Sequence, residues 1–90
     1  MQRRDIEERI RKFIVTRFPR AQQNLPGNDT SLLGHGVIDS LGILEVVTFL
    51  EQEFLISVAD EDLLPENFQS IAHISIFVQQ KRENEILVGK

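Results

Sequence analysis

Ninety residues, 41% hydrophobic and 27% charged, suit one soluble domain spanning 1–90, with no room for a catalytic unit beside a separate binding unit. No cysteine is present, which excludes disulfides and thiolate metal sites, and no apolar run approaches the ~18 residues of a membrane span. The net charge of −4 conceals a segregation, with +4 on residues 1–20, nine acidic and no basic side chains on residues 21–80, and +1 on residues 81–90; the cation-free stretch argues against nucleic-acid binding and favours docking to basic surfaces.

The first element is an amphipathic helix, because Ile6, Ile10, Phe13, Ile14 and Phe18 follow helical spacing. Asp5 is placed to cap its start, with Glu8 three residues later in a box-like arrangement, and Pro19 to stop it. No apolar signal core follows Met1-Gln2-Arg3-Arg4, so a cytoplasmic protein is expected. Residues 19–39 read as a long connection built on Pro19, Pro26, Gly27, Asn28, Asp29, Gly34 and Gly36. Leu25, Leu32, Leu33, Val37 and Ile38 are too many apolar residues for a disordered linker, so this loop is expected to pack on the core. The glycosylation sequon Asn28-Asp29-Thr30 lacks a secretion signal and is read as chance.

A second helix is expected from Asp39 or Ser40, both good N-caps, to about Phe54. A short third turn follows near Asp60 to Leu64, ended by Pro65. Ser70 caps a last helix from Ile71 to about Lys81, with Ile71, Ile74, Phe77 and Val78 facing inward. The ordered core then covers about residues 4–81, and residues 82–90 are expected to fray. No strand alternation or repeat is present. The pattern fits an all-α four-helix bundle with three main helices, one short helix and a long loop between the first and second.

The second helix has two faces. Ile43, Val46, Val47, Leu50 and Phe54 fall within an arc of about 100°, the width of a core-facing stripe. Leu41, Leu44 and Thr48 lie on another side, flanked by Glu45, Glu51 and Gln52. Such a strip is either a docking surface for a partner with an apolar patch and basic rim, or a face buried by the long loop or a neighbouring helix. Ser40 sits where the helix begins, and the unpaired amides and dipole there favour a phosphate. The alternative is that Ser40 or Asp39 only caps the helix, worth about 1 kcal/mol. A hydrolase built on Ser40, His35 and Asp39 is not expected, since Gly-x-Ser-x-Gly is absent and triad members are rarely adjacent in sequence. His35 reads as a loop residue and His73 as a solvated or satisfied helix residue, neither with metal-ligand spacing. Asp60, Glu61 and Asp62 lack the glycine and spacing of a calcium loop.

The stretch Gly36-Val37-Ile38-Asp39-Ser40-Leu41-Gly42 resembles the attachment motif of acyl carrier proteins and their aminoacyl and peptidyl carrier relatives, whose signature is Asp-Ser-Leu at the start of the second helix. Residues Glu45 to Phe54 are similar to that family's second helix, and Val58, Asp60, Glu61 and Asp62 to the start of its short third helix. The resemblance covers about residues 5–80 in element order and is densest over about 33–62. It implies a 4'-phosphopantetheine arm, donated by coenzyme A and esterified to Ser40 by a phosphopantetheinyl transferase. The thiol at the arm's end would carry acyl groups as thioesters, chemistry that the chain itself lacks. Asp39 would help engage the transferase and the metal its reaction uses, with Leu41 beside the arm. Leu41, Leu44, Glu45, Thr48, Glu51 and Gln52 would present the docking face to the transferase, to an acyl- or aminoacyl-loading ligase and to downstream synthase or transferase enzymes of fatty acid or polyketide biosynthesis. A monomeric, non-enzymatic carrier is expected. Two departures bear on cargo. Gly42 stands where fatty-acid carriers commonly have an acid, and with Gly36-Val37-Ile38 before the motif it leans toward specialised stand-alone or D-alanyl carriers; Thr48 is less apolar than the residue often found there. The expectation is therefore an acyl carrier, with an aminoacyl, D-alanyl or peptidyl carrier and an unmodified helical interaction module as alternatives.

Overall fold

A computed structural model describes the backbone of residues 2–88 and the side chains of residues 2–84. Helix α1 (Arg3–Arg17) starts from Gln2 in extended backbone with no side-chain capping bond, so neither Asp5 nor Glu8 caps it. Asp5 lies instead inside the first turn, where its charge suits the helix dipole. Pro19 ends α1 and also opens a short helix, α2 (Pro19–Gln23), because a proline at the first helical position has no amide to lose. Helix α3 (Ser40–Phe54) follows the loop, then two 3₁₀ turns, Asp60–Asp62 and Pro65–Phe68, and finally α4 (Ile71–Val88). The single short helix expected near Asp60 to Leu64 is thus a pair of turns, with Pro65 starting the second. The described residues form no strand, and no helix among them is long and apolar enough to cross a membrane.

Helices α1 and α4 share the most extensive packing. Ile6, Ile10 and Ile14 of α1 and Ile71, Ile74, Phe77 and Val78 of α4 are all buried, as their spacing predicts. Each such side chain contributes about 1.5–3 kcal/mol when taken out of water. The buried stripe of α3 is Gly42, Val46, Leu50 and Phe54, one residue every four. Ile43 and Val47, expected within it, are half-buried on its flank. The stripe shifts because Gly42 brings the helix backbone itself against its neighbours. Phe13 of α1 stacks on Phe49 of α3 at 4.3 Å between ring centroids, and Phe49 meets Phe54 edge-on at 6.0 Å.

The long loop packs on the core through Leu32, Val37 and Ile38, with Leu33 half-buried. Leu25 departs from expectation and is 72% exposed. It precedes Pro26, which is buried and whose carbonyl accepts from Arg11 Nε at 3.4 Å. A residue before proline is held extended, and neighbours on extended backbone point opposite ways, so burying Pro26 turns Leu25 outward. The loop is pinned to the start of α4. The Leu32 amide donates to Gln69 O at 2.8 Å, and the Ala72 amide to Asn28 O at 2.9 Å. The Asn28 side chain also bonds Arg11 and Glu7.

Ser70 caps α4 as expected, its Oγ accepting the His73 amide at 3.2 Å and lying 2.6 Å from His73 Nδ1. The helix runs past its expected end near Lys81 to Val88; residues 89 and 90 lie outside the described residues. Two ties fasten it at Lys81 and Arg82. Lys81 Nζ lies 2.6 Å from Asp62 Oδ2, and the Arg82 guanidinium donates to Phe54 O at 3.4 Å. The Lys81 ammonium, with the Ala59 amide, holds the Asp62 carboxyl below the ordinary carboxylate value.

Candidate functional site

The chain reaches α3 through a turn that needs a glycine. Gly36 has φ 71°, in the left-handed region. Val37 and Ile38 then bury and anchor the approach. Asp39 is extended, and its Oδ1 accepts the Gly42 amide at 2.7 Å. Asp39 is therefore the cap, and Ser40 is relieved of that task. Ser40 is the first helical residue and is exposed. The first amides of a helix have no partner within it and form the positive end of the dipole.

Gly42 has a packing reason. A Cβ there would lie 2.8 Å from Ile38 Cγ2 and 2.9 Å from Phe18 Cε1. The first turn of α3 rests directly on Phe18 and Ile38, so a larger residue at this position requires those side chains to shift. This gives the departure from the fatty-acid-carrier pattern a packing reason independent of cargo. Phe18, at the end of α1, thus packs at the first turn of α3, a contact that its helical spacing alone does not signal.

Ser40 opens onto a groove of about 260 Å³ lined by Leu33, Ile43, Leu44, Leu63, Pro65 and Phe68, with Leu64 at its side. Leu41 is 73% and Leu44 53% exposed, so the loop does not cover them. The polar members of the expected docking face have diverse surroundings. Glu45 Oε1 lies 2.5 Å from Arg17 Nε. Thr48 Oγ1 donates to Leu44 O at 3.1 Å. Glu51 Oε2 accepts the Val58 amide at 2.9 Å, which ties it to the segment after α3. Gln52 is exposed and shares a second groove, about 280 Å³, with Phe13, Arg17, Glu45, Thr48 and Phe49. His35 lines a separate hollow with Arg20, Asn24 and Thr30. One Asp39 oxygen is taken by the Gly42 amide, and His35 and Ser40 line different hollows.

These features suit a phosphopantetheine arm: an exposed hydroxyl at a helix N-terminus for the phosphodiester, beside an apolar groove for the remainder of the arm. A family profile described as the phosphopantetheine attachment site matches residues 8–78. The chain is 35% identical over 72 residues to an acyl carrier protein homolog of Mycoplasmopsis pulmonis, covering 80% of this chain and 94% of the relative. It is 33% identical over 78 residues to an acyl carrier protein of Buchnera aphidicola, covering 87% of this chain and 94% of the relative. It is 27% identical over 75 residues to the probable acyl carrier protein PigG of a Serratia strain, covering 83% and 86%. The fold matches a chain from the crystal structure of an FAD-dependent dehydrogenase with a TM-score of 0.68 at 22% identity, covering 77% of this chain and 97% of that one. The chain belongs to the phosphopantetheine attachment-site family and is a carrier of the acyl carrier protein type, which holds its cargo on a covalent 4'-phosphopantetheine arm.

Proposed function

We propose that Ser40 is the residue that receives the arm, and that this single cytoplasmic domain is a carrier with no catalytic activity of its own. The observation that carries this reading is the division of labour at the start of α3. Asp39 caps the helix, and the neighbouring Ser40 hydroxyl is left exposed at the positive helix end. The arm, once attached, supplies the thiol on which acyl groups ride as thioesters. The chain's own residues do the rest. Asp39 fixes the helix start and offers its second carboxylate oxygen to the transferase and its metal. Leu41 stands beside the arm, and Leu44, with the leucines of the adjoining groove, offers apolar contact to arm and cargo. Leu41, Leu44, Glu45, Thr48 and Gln52 form the surface met by the transferase, a loading ligase and downstream acyl-handling enzymes. Glu51 contributes to that face through its tie to Val58 rather than as a free charge. The apolar lining of the groove favours an acyl cargo over a charged aminoacyl one.

The test is intact-protein mass after incubation with coenzyme A, magnesium and a broad-specificity phosphopantetheinyl transferase, on the wild type and on Ser40→Ala. One arm per wild-type chain, mapped to Ser40, and none on a folded Ser40→Ala variant is the expected result. Equal labelling of both would move the attachment point elsewhere.

A further inference from the structure

The acids of α3 are occupied within the molecule. Glu45 lies 2.5 Å from Arg17, Glu53 lies 2.9 Å from Arg9, and Glu51 accepts the Val58 amide. Arg9 and Arg17 are two turns apart on α1, and Glu45 and Glu53 are two turns apart on α3. The basic first helix therefore runs along the acidic third and holds two of its charges individually. We propose that Arg17 is an internal competitor for the docking acid Glu45, so that a partner enzyme seats an arginine on this carrier only by displacing the Arg17 guanidinium. The proposal rests on the reading of α3 as the docking face.

The surroundings of Glu45 specify the occupant. Glu45 and Arg17 rim the second groove, whose walls include the stacked rings of Phe13 and Phe49. A planar guanidinium can lie along an aromatic face while it pairs with a carboxylate, which an ammonium does less well. The side chains of Arg17 and Glu45 are 58% and 41% exposed. The pair is thus within reach of an incoming side chain, and such exposed pairs are weak enough to open. Docking exchanges one arginine–glutamate pair for another. Its ionic contribution is small, and its dependence on salt is correspondingly flat. Removing Arg17 leaves Glu45 as a free carboxylate, and partners with a basic docking surface should bind more tightly. Arg17 would then set how basic a partner must be in order to dock.

Binding is best read without chemistry, by calorimetric titration of a phosphopantetheinyl transferase with full-length carrier in a Ser40→Ala background. Adding Arg17→Gln should tighten binding about twofold to fivefold at low salt and steepen its salt dependence. Glu45→Gln should weaken binding, and Arg17→Gln should then have no further effect. Circular dichroism checks that each variant is folded. If Arg17→Gln weakens binding or leaves it unchanged, the competitor role is overturned. If Glu45→Gln has no effect, it is overturned as well, since there is no docking acid to compete for. Loading with Ser40 intact is scored separately. Tightened binding by Arg17→Gln without any adduct on Ser40 would sink the attachment site and leave the competitor standing.

Discussion

Leu50 and Leu44 lie on the same helix and meet opposite fates. Leu50 is fully buried between Val46 and Phe54, whereas Leu44 is 53% exposed, with Leu41 at 73%. Leucines stand on both faces of α3, so the hydrophobicity of the side chain alone does not decide between them. The deciding factor is the structure opposite each face. The inner face meets the core shared with α1 and α4, while the outer face at the Ser40 end meets only the rim of a groove formed by Leu63, Leu64 and Phe68. Exposed leucines add little to folding, and their cluster around an exposed serine is what supports the proposed docking surface. On that proposal one helix uses leucine for two jobs, stability on one side and encounter on the other.

The sharpest way to test that division is to truncate a leucine on each side. Leu50→Ala should cost about 2–5 kcal/mol, read as a fall in the denaturant midpoint. Leu44→Ala should change stability by no more than about 0.5 kcal/mol yet slow transfer of the arm or handling of cargo by partner enzymes. A large stability loss from Leu44→Ala would erase the distinction between the two faces. A second test addresses the place where they meet. Gly42→Asp, which restores the acid common in fatty-acid carriers, forces Phe18 and Ile38 apart and should cost about 1–3 kcal/mol. If the variant is as stable as wild type, Gly42 is a matter of recognition rather than packing. The smallest expected effect is at the far end of the helix. Leu55 adopts φ 55° with its side chain 81% exposed, a left-handed conformation that a leucine tolerates poorly. Leu55→Gly should raise stability by about 0.5–1 kcal/mol without affecting transfer, because Leu55 lies at the opposite end of α3 from Ser40.

Much of this architecture is legible in the sequence because it is local. The inward residues of α1 and α4 come from period alone, and Ser70 and Asp39 announce their helices by side-chain chemistry that acts within one turn. The run Asp39-Ser40-Leu41 leaves open which residue caps, and one hydrogen bond to the Gly42 amide decides it. The features that are not legible depend on partners distant in sequence. Nothing near Glu45 or Glu51 signals that Arg17 and the Val58 amide take them. Gly42 stands out in the sequence only as a family departure, and the approach of Phe18 shows it to be a contact. Pro19 and Pro65 signal helix stops, yet a proline serves equally well as a first helical residue, and both do so here. Leu25 is apolar but exposed, because its neighbour Pro26 takes the buried place.

The central claim is that Asp39 holds the helix so that Ser40 can receive the arm. Peptide mapping of the chain after incubation with coenzyme A, magnesium and a phosphopantetheinyl transferase tests it most directly. The account predicts one phosphopantetheine per molecule, found on the peptide containing Ser40 and abolished in a folded Ser40→Ala variant. Modification at another serine, or unmodified and well-folded protein with transferases of different specificity, would contradict it.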